Sequence, residues 1–312
     1  MNIAKISLLL SALTFGLVFN ANLSARSKNG SSAEISGCYE VTTMVSGLGI
    51  NGPDGFAMDK DGNLYVANWG NGIGDNILKI TRQGEVSEYL KGLSAPDGLV
   101  FDNDSNLFIS NFATGIITKV AADGVKTEFA RGLSNPRALV FDKRGNLYVS
   151  NHGNGKGSTV SRITPDGVVS TFASGFDAPL GLVFDAKGNL YVSNYNSGII
   201  NKVSSKGVVS EFAKIENAPL ARLQYLASDK NENLYVPSYG HNKVYKISPE
   251  GKVEIFAGSG IAGGKDGALP DAEFNGPNSI IIDASGIIYI SEYNANRIRK
   301  ITEKNSIVLK IR

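Results

Sequence analysis

Apolar residues along this chain fall in short runs divided by Gly, Asn and Asp. Solid runs such as Leu182-Val183-Phe184 trade places with mixed ones such as Leu190-Tyr191-Val192-Ser193. A solid run reads as a strand buried on both faces, and a mixed run as a strand with one face wet. One phrase organises them. Gly62-Asn63-Leu64-Tyr65-Val66-Ala67-Asn68 returns, with small changes, from residues 105, 145, 188, 232 and 286. Successive copies start 40 to 54 residues apart, the period of a four-stranded propeller blade. The pattern predicts an all-β chain, a six-bladed β-propeller of four-stranded antiparallel blades spanning residues 39–312.

Within a repeat, the solid run should be the innermost strand and the mixed runs should lie further out. Seven segments qualify as outermost strands, at 41–45, 86–90, 126–130, 169–173, 208–213, 253–257 and 307–311. Six blades need six. The N-terminal segment is expected to complete the last blade, with the C-terminal segment as the alternative.

Composition narrows the class. The 36 glycines suit many tight turns, and 31 basic against 29 acidic residues give a net charge of +2. With no basic stripe, nucleic acid is not an expected partner. Lys5 followed by a mostly apolar run at 6–19 reads as a signal peptide over residues 1–25, so export to the periplasm or medium is expected. The run is too short for a transmembrane span. Residues 26–38, rich in Ser, Asn and Gly, read as a flexible linker. Cys38 is the single cysteine, which excludes an intramolecular disulfide. Ile35-Ser36-Gly37-Cys38 resembles a bacterial lipid-attachment motif, but Arg26, Lys28 and Glu34 separate it from the apolar run, which favours a plain thiol over an anchor.

Candidate chemistry lies where the copies differ. The turn aspartates Asp59, Asp102, Asp142, Asp185, Asp229 and Asp283 recur in every copy, so a structural turn role is expected. The slot entering the innermost strand varies: Asp54, Asp97, Arg137, Leu180, Gln224 and Asn278. The second strand ends at Asn68, Asn111, Asn151, Asn194, Ser238 and Glu292, followed by Trp69, Phe112, His152, Tyr195, Tyr239 and Tyr293. One face therefore carries a polar axial ring inside an aromatic collar. Asp54, Asp97 and Asn278, near Glu292, form a candidate Ca²⁺ or other divalent-cation site. Without a cation, the two carboxylates would repel unless one is protonated or Arg137 pairs with them. The competing expectation is that Asp54 and Asp97 cap Pro-Asp-Gly turns. His152 and His241 are the two histidines and the candidate general bases. Trp69, Arg137, Tyr195, Tyr239 and Glu292 are the candidate ligand-binding residues. The insertion at 258–276 is expected to be mobile, either a lid or a passive connection.

The last repeat, with Ala272-Glu273-Phe274-Asn275-Gly276-Pro277 and Asn296-Arg297-Ile298-Arg299-Lys300-Ile301, resembles an NHL repeat. Earlier copies, with Pro-Asp-Gly-Leu and Gly-Asn-Leu-Tyr-Val, resemble the senescence marker protein/gluconolactonase group and the virginiamycin B lyase-like propellers. The resemblance implies one of two functions. The first is ligand or partner binding at the axial face, to a small molecule, glycan or envelope protein, by a monomer. The second is cation-dependent hydrolase or lyase chemistry. It implies a metal at Asp54, Asp97 and Asn278, and a histidine base at His241 or His152.

Overall fold

The computed structural model describes the backbone of residues 25–26, 32–216 and 220–310, and the side chains of residues 38–216 and 220–304. The expected signal peptide falls almost wholly outside these residues. The described residues fall into two compact units, those between 39 and 303 forming the propeller and those before 39 and after 303 forming the other. In the latter, Ala25–Arg26 pairs with residues 32–33, and the exposed Cys38 thiol donates to the Lys304 carbonyl at 3.4 Å.

The propeller has six antiparallel sheets whose first four strands follow a single plan. Blade one runs Pro53–Met58, Leu64–Asn68, Asn76–Ile80 and Val86–Leu90 from the axis outward. Blades two, three, four and five begin at Pro96–Phe101, Pro136–Phe141, Pro179–Phe184 and Ala227–Ser228. Blade six is Pro277–Ile282, Ile288–Glu292 and Arg297–Lys310, closed by the N-terminal strand Ser32–Ser46. Closure by the N-terminal segment is therefore what the chain adopts. The rival segment at 307–311 instead continues the third strand, through Lys310. The strand Ser32–Ser46 also begins inside the stretch read as a linker.

The phrase that organises the sequence is the second strand. It is buried at every residue in all six blades, because each sheet packs another blade on both faces. The innermost strands were expected to be the most buried, yet they end half-buried, as at Val140 and Phe141. Their ends border an apolar axial channel of about 360 Å³ lined by residues such as Phe56, Leu99, Leu139, Leu182 and Ile280. The turn aspartates act as read: Asp59 accepts the Asp61 and Asn63 amides, at 3.0 and 2.8 Å, and the Asn63 side chain at 2.8 Å.

The insertion is not a lid. Its residues Gly267–Ala268 pair with Glu40 and Val41 of the closing strand. Asp266 accepts the Thr43 amide and hydroxyl, each at 3.0 Å, and meets Arg299 at 2.7 Å. An edge strand exposes unpaired amides and carbonyls, and this loop covers them.

Candidate functional site

The second strand and the inner strand together place the site. Asn68 Oδ1 accepts the amide of Asn51, seventeen residues upstream, at 3.1 Å. Asn111, Asn151 and Asn194 repeat the contact on Ser94, Ser134 and Asp177. The strand-end asparagines are therefore clamps that fix the loop entering each inner strand. The preceding serine fixes the neighbouring blade: Ser110 Oγ donates to the Arg137 carbonyl at 2.7 Å, Ser150 to Leu180 at 2.7 Å, and Ser291 to Asp54 at 3.3 Å. The entry slots converge on the axis because serines of adjacent blades tie their backbones.

Pro-Asp-Gly is not a turn here, so the capping expectation is corrected. It lies within the inner strand, and its glycine is required by close approach. A Cβ on Gly55 would fall 2.3 Å from the Asp97 carbonyl, and one on Gly98 would fall 2.1 Å from that of Arg137. The aspartates are thus free to face the axis. Arg137 Nη1 lies 2.9 Å from Asp97 Oδ2 and 3.3 Å from Asp54 Oδ2. Asn278 Nδ2 donates to Asp54 Oδ1 at 3.0 Å, and the Tyr225 hydroxyl donates to Asp97 Oδ1. Burial raises both carboxyl pKa values against the opposing pull of Arg137, and pushes Asp97, beside Asp54, up to about 8. Burial disfavours the Arg137 charge, but Asp97 and Asp54 more than offset it and hold its pKa above the ordinary value.

These residues do not fit a divalent cation. The guanidinium already supplies the positive charge between the two carboxylates, and Asn278 turns its donor, not its oxygen, to Asp54. Among the described residues no group of three or more acidic, histidine or cysteine side chains could hold a metal.

Above the ring, the collar is nearly continuous. Ring centroids are 6.2 Å apart from Tyr239 to Tyr293, 5.8 Å from Tyr293 to Trp69 and 5.9 Å from Trp69 to Phe112. The series continues at 6.4 Å from Phe112 to His152 and 5.5 Å from His152 to Tyr195. Arg137 sits over Phe112 and Trp69, its central carbon 5.0 and 5.7 Å from their centroids. The open cavity within the collar, about 310 Å³, is lined by Asp54, Trp69, Arg137, His152, Tyr195 and Tyr239 among others.

The two histidines part company. His152 lines the cavity and is buried. Its Nδ1 accepts the Gly155 amide at 3.0 Å, which puts the ring proton on Nε2. Burial, with the Arg137 charge adding to it, lowers its pKa to about 3. At pH 7 it is neutral and presents an N–H, not a free lone pair, at Nε2. His241 is outside the cavity lining, with Nδ1 2.8 Å from the Tyr245 hydroxyl.

Glu292 is also displaced from its expected role. It is fully buried, accepts the Asn275 amide at 2.6 Å, and is held by Arg297 and by Arg299 at 3.4 Å. It performs the clamp of the asparagines in a charged form. Several residues of the site escaped the sequence reading, Asn154 and Gly155 of the cavity lining among them. Tyr225 lies beyond the entry slot, and Arg222, which lines the cavity, precedes it. Arg222 was legible as the one long side chain at a position that is otherwise small.

The fold and the cavity define a six-bladed propeller with an axial pocket. The chain belongs to the virginiamycin B lyase family, whose family model matches residues 25–273. Virginiamycin B lyase from Staphylococcus aureus is similar in structure, with a TM-score of 0.62 at 17% identity over 87% of this chain and 88% of that one. An auxiliary nutrient-binding protein from Bacteroides thetaiotaomicron gives 0.72 at 18%, over 86% and 77%. A gluconolactonase from Xanthomonas campestris gives 0.67 at 17%, over 85% and 89%. At these identities the likeness is one of fold. No curated protein matches by sequence. Among the described residues no helix is long and apolar enough to cross a membrane.

Proposed function

We propose that this propeller binds a small molecule in its axial cavity. One observation carries the reading. Trp69 Nε1, Arg137 Nε, His152 Nε2 and Asn278 Oδ1 are buried without a hydrogen-bond partner among the described residues. Trp69, Arg137, His152 and Asn278 all line the same cavity. Buried polar groups are otherwise almost always satisfied, so four in one pocket mark the place of a ligand's acceptors and donors. The binding relatives support the reading by analogy of fold, and the export expected from the sequence would agree with it. The test is calorimetric titration of purified protein with sugars, organic acids and short peptides, repeated on Trp69→Ala and Tyr195→Ala. Binding that both variants weaken is expected. Binding indifferent to both would overturn the reading.

Family membership favours a second reading, turnover of a lactone, ester or related substrate in the same cavity. Against it, the Nε2 that His152 brings to the cavity carries the ring proton, and His241 lies outside the cavity lining. Calcium titration of chelator-treated protein bears on the cation-dependent form. Stoichiometric binding lost in the double variant Asp54→Asn/Asp97→Asn would restore that form; absence of heat is expected.

A further inference from the structure

Arg222 departs from the repeat in a way the fold does not require. The residue before each entry proline, or before Leu223, which bridges Ser238 in the proline's place in blade five, has left-handed backbone in all six blades. These are Gly52, Ala95, Asn135, Ala178, Arg222 and Gly276, with φ between 46 and 66°. Five are small or are the asparagine that tolerates this region. A long side chain there costs on the order of 1–2 kcal/mol relative to glycine. The packing offers little in return, since Arg222 is exposed and, among the described residues, its guanidinium meets only the Tyr239 ring, 5.9 Å from the centroid.

Its position is informative. The aromatic collar runs unbroken from Tyr239 through Tyr293, Trp69, Phe112 and His152 to Tyr195. The break lies between blades four and five, and Arg222 lines the cavity there with Tyr195 and Tyr239. The two cavity arginines differ in kind. Arg137 is held by Asp54 and Asp97. Among the described residues no carboxylate lies within ion-pair distance of Arg222. The cavity therefore holds one cation already neutralised at its floor and one unneutralised at its rim.

We propose that Arg222 anchors a small carboxylate ligand, a single ring or ring-sized body bearing one carboxylate. This rests on the binding reading above and names its ligand class. The guanidinium fork matches a carboxylate with two parallel hydrogen bonds. The collar offers ring faces to a flat body, and the N–H groups of His152 and Trp69 await its further acceptors. Size agrees. A cavity of about 310 Å³ holds roughly ten water volumes, the scale of one substituted ring.

The experiment compares matched acids and neutral partners on the full protein. Benzoate is titrated against benzamide and glucuronate against glucose, by calorimetry and thermal shift, at low and high salt. At least one acid should bind tenfold or more tightly than its neutral partner and weaken with salt. Arg222→Met should abolish that preference, and Arg222→Lys should keep part of it. Because Arg222 is exposed, both variants should unfold within a few degrees of the parent, which the same thermal scan verifies. Equal binding of acid and neutral partner, unchanged acid binding by Arg222→Met, or no binding by either acid would overturn the proposal. A neutral ligand lost in Trp69→Ala but retained in Arg222→Met would overturn the carboxylate and leave the cavity reading standing. No ligand of any class sensitive to Trp69→Ala would overturn both.

Discussion

Arg137 Nη1 stands 2.9 Å from Asp97 Oδ2, and the aspartate it holds is wholly buried. The same nitrogen reaches Asp54 at 3.3 Å, so one guanidinium serves two carboxylates. Removing it leaves buried charge without a partner, which typically costs about 3–5 kcal/mol. Arg137→Met should therefore lower the melting temperature by roughly 10 °C. Asp97→Asn should cost far less, because that carboxyl already tends to the neutral form and an amide keeps its shape. Thermal denaturation of the two variants checks the ranking; equal losses would show that the network is not organised by Arg137.

Histidine burial sets the acid limit. The folded pKa of His152 is about 3, against an ordinary value of 6.5. A depressed folded pKa gives stability that is present above 6.5 and lost as pH falls toward 3. Asp97 works the opposite way. Its raised pKa of about 8 makes its contribution complete below 3.8 and lost as pH rises to 8. His152→Gln should flatten the acid side of the stability profile between pH 6 and 4. Denaturant melts across that range read the slope, and an unchanged acid slope would refute the assignment.

Glu292 separates a structural from a ligand role. Glu292→Gln leaves Arg299, which is fully buried, without its charged neighbour on that strand, and should destabilise by about 3 kcal/mol or more. Ligand affinity at the axial cavity should not change. Lost affinity in a variant that still folds would return Glu292 to the binding surface.

The insertion should act as a latch on the closing strand. Asp266 is half-exposed, so its contacts with Thr43 and Arg299 are discounted to about 1–2 kcal/mol. Asp266→Ala should speed amide hydrogen exchange in the strand Ser32–Ser46, at Thr43 above all, while blades two to four keep their protection. Uniform acceleration across all blades would mean that the loop stabilises the ring as a whole.

Local pattern was enough for the architecture. The phrase from Gly62 to Asn68 has a strand's alternation and a turn at each end, and its six copies set the blade number. Those are short-range properties, carried by neighbouring residues and by spacing alone. The collar was legible for the same reason, since equivalent positions in equivalent blades must share a face. Partners across the ring were not. Pro-Asp-Gly reads as a turn until the next blade's backbone arrives 2.3 Å from where a Cβ on Gly55 would sit. Tyr225 and Asp97 are 128 positions apart, and nothing in either segment announces the bond between them. Charge state followed the same rule. Whether Asp54 and Asp97 face a metal or an arginine, and whether His152 is a base or a donor, depends on burial and on which cation stands alongside, and only the closed ring brings those together.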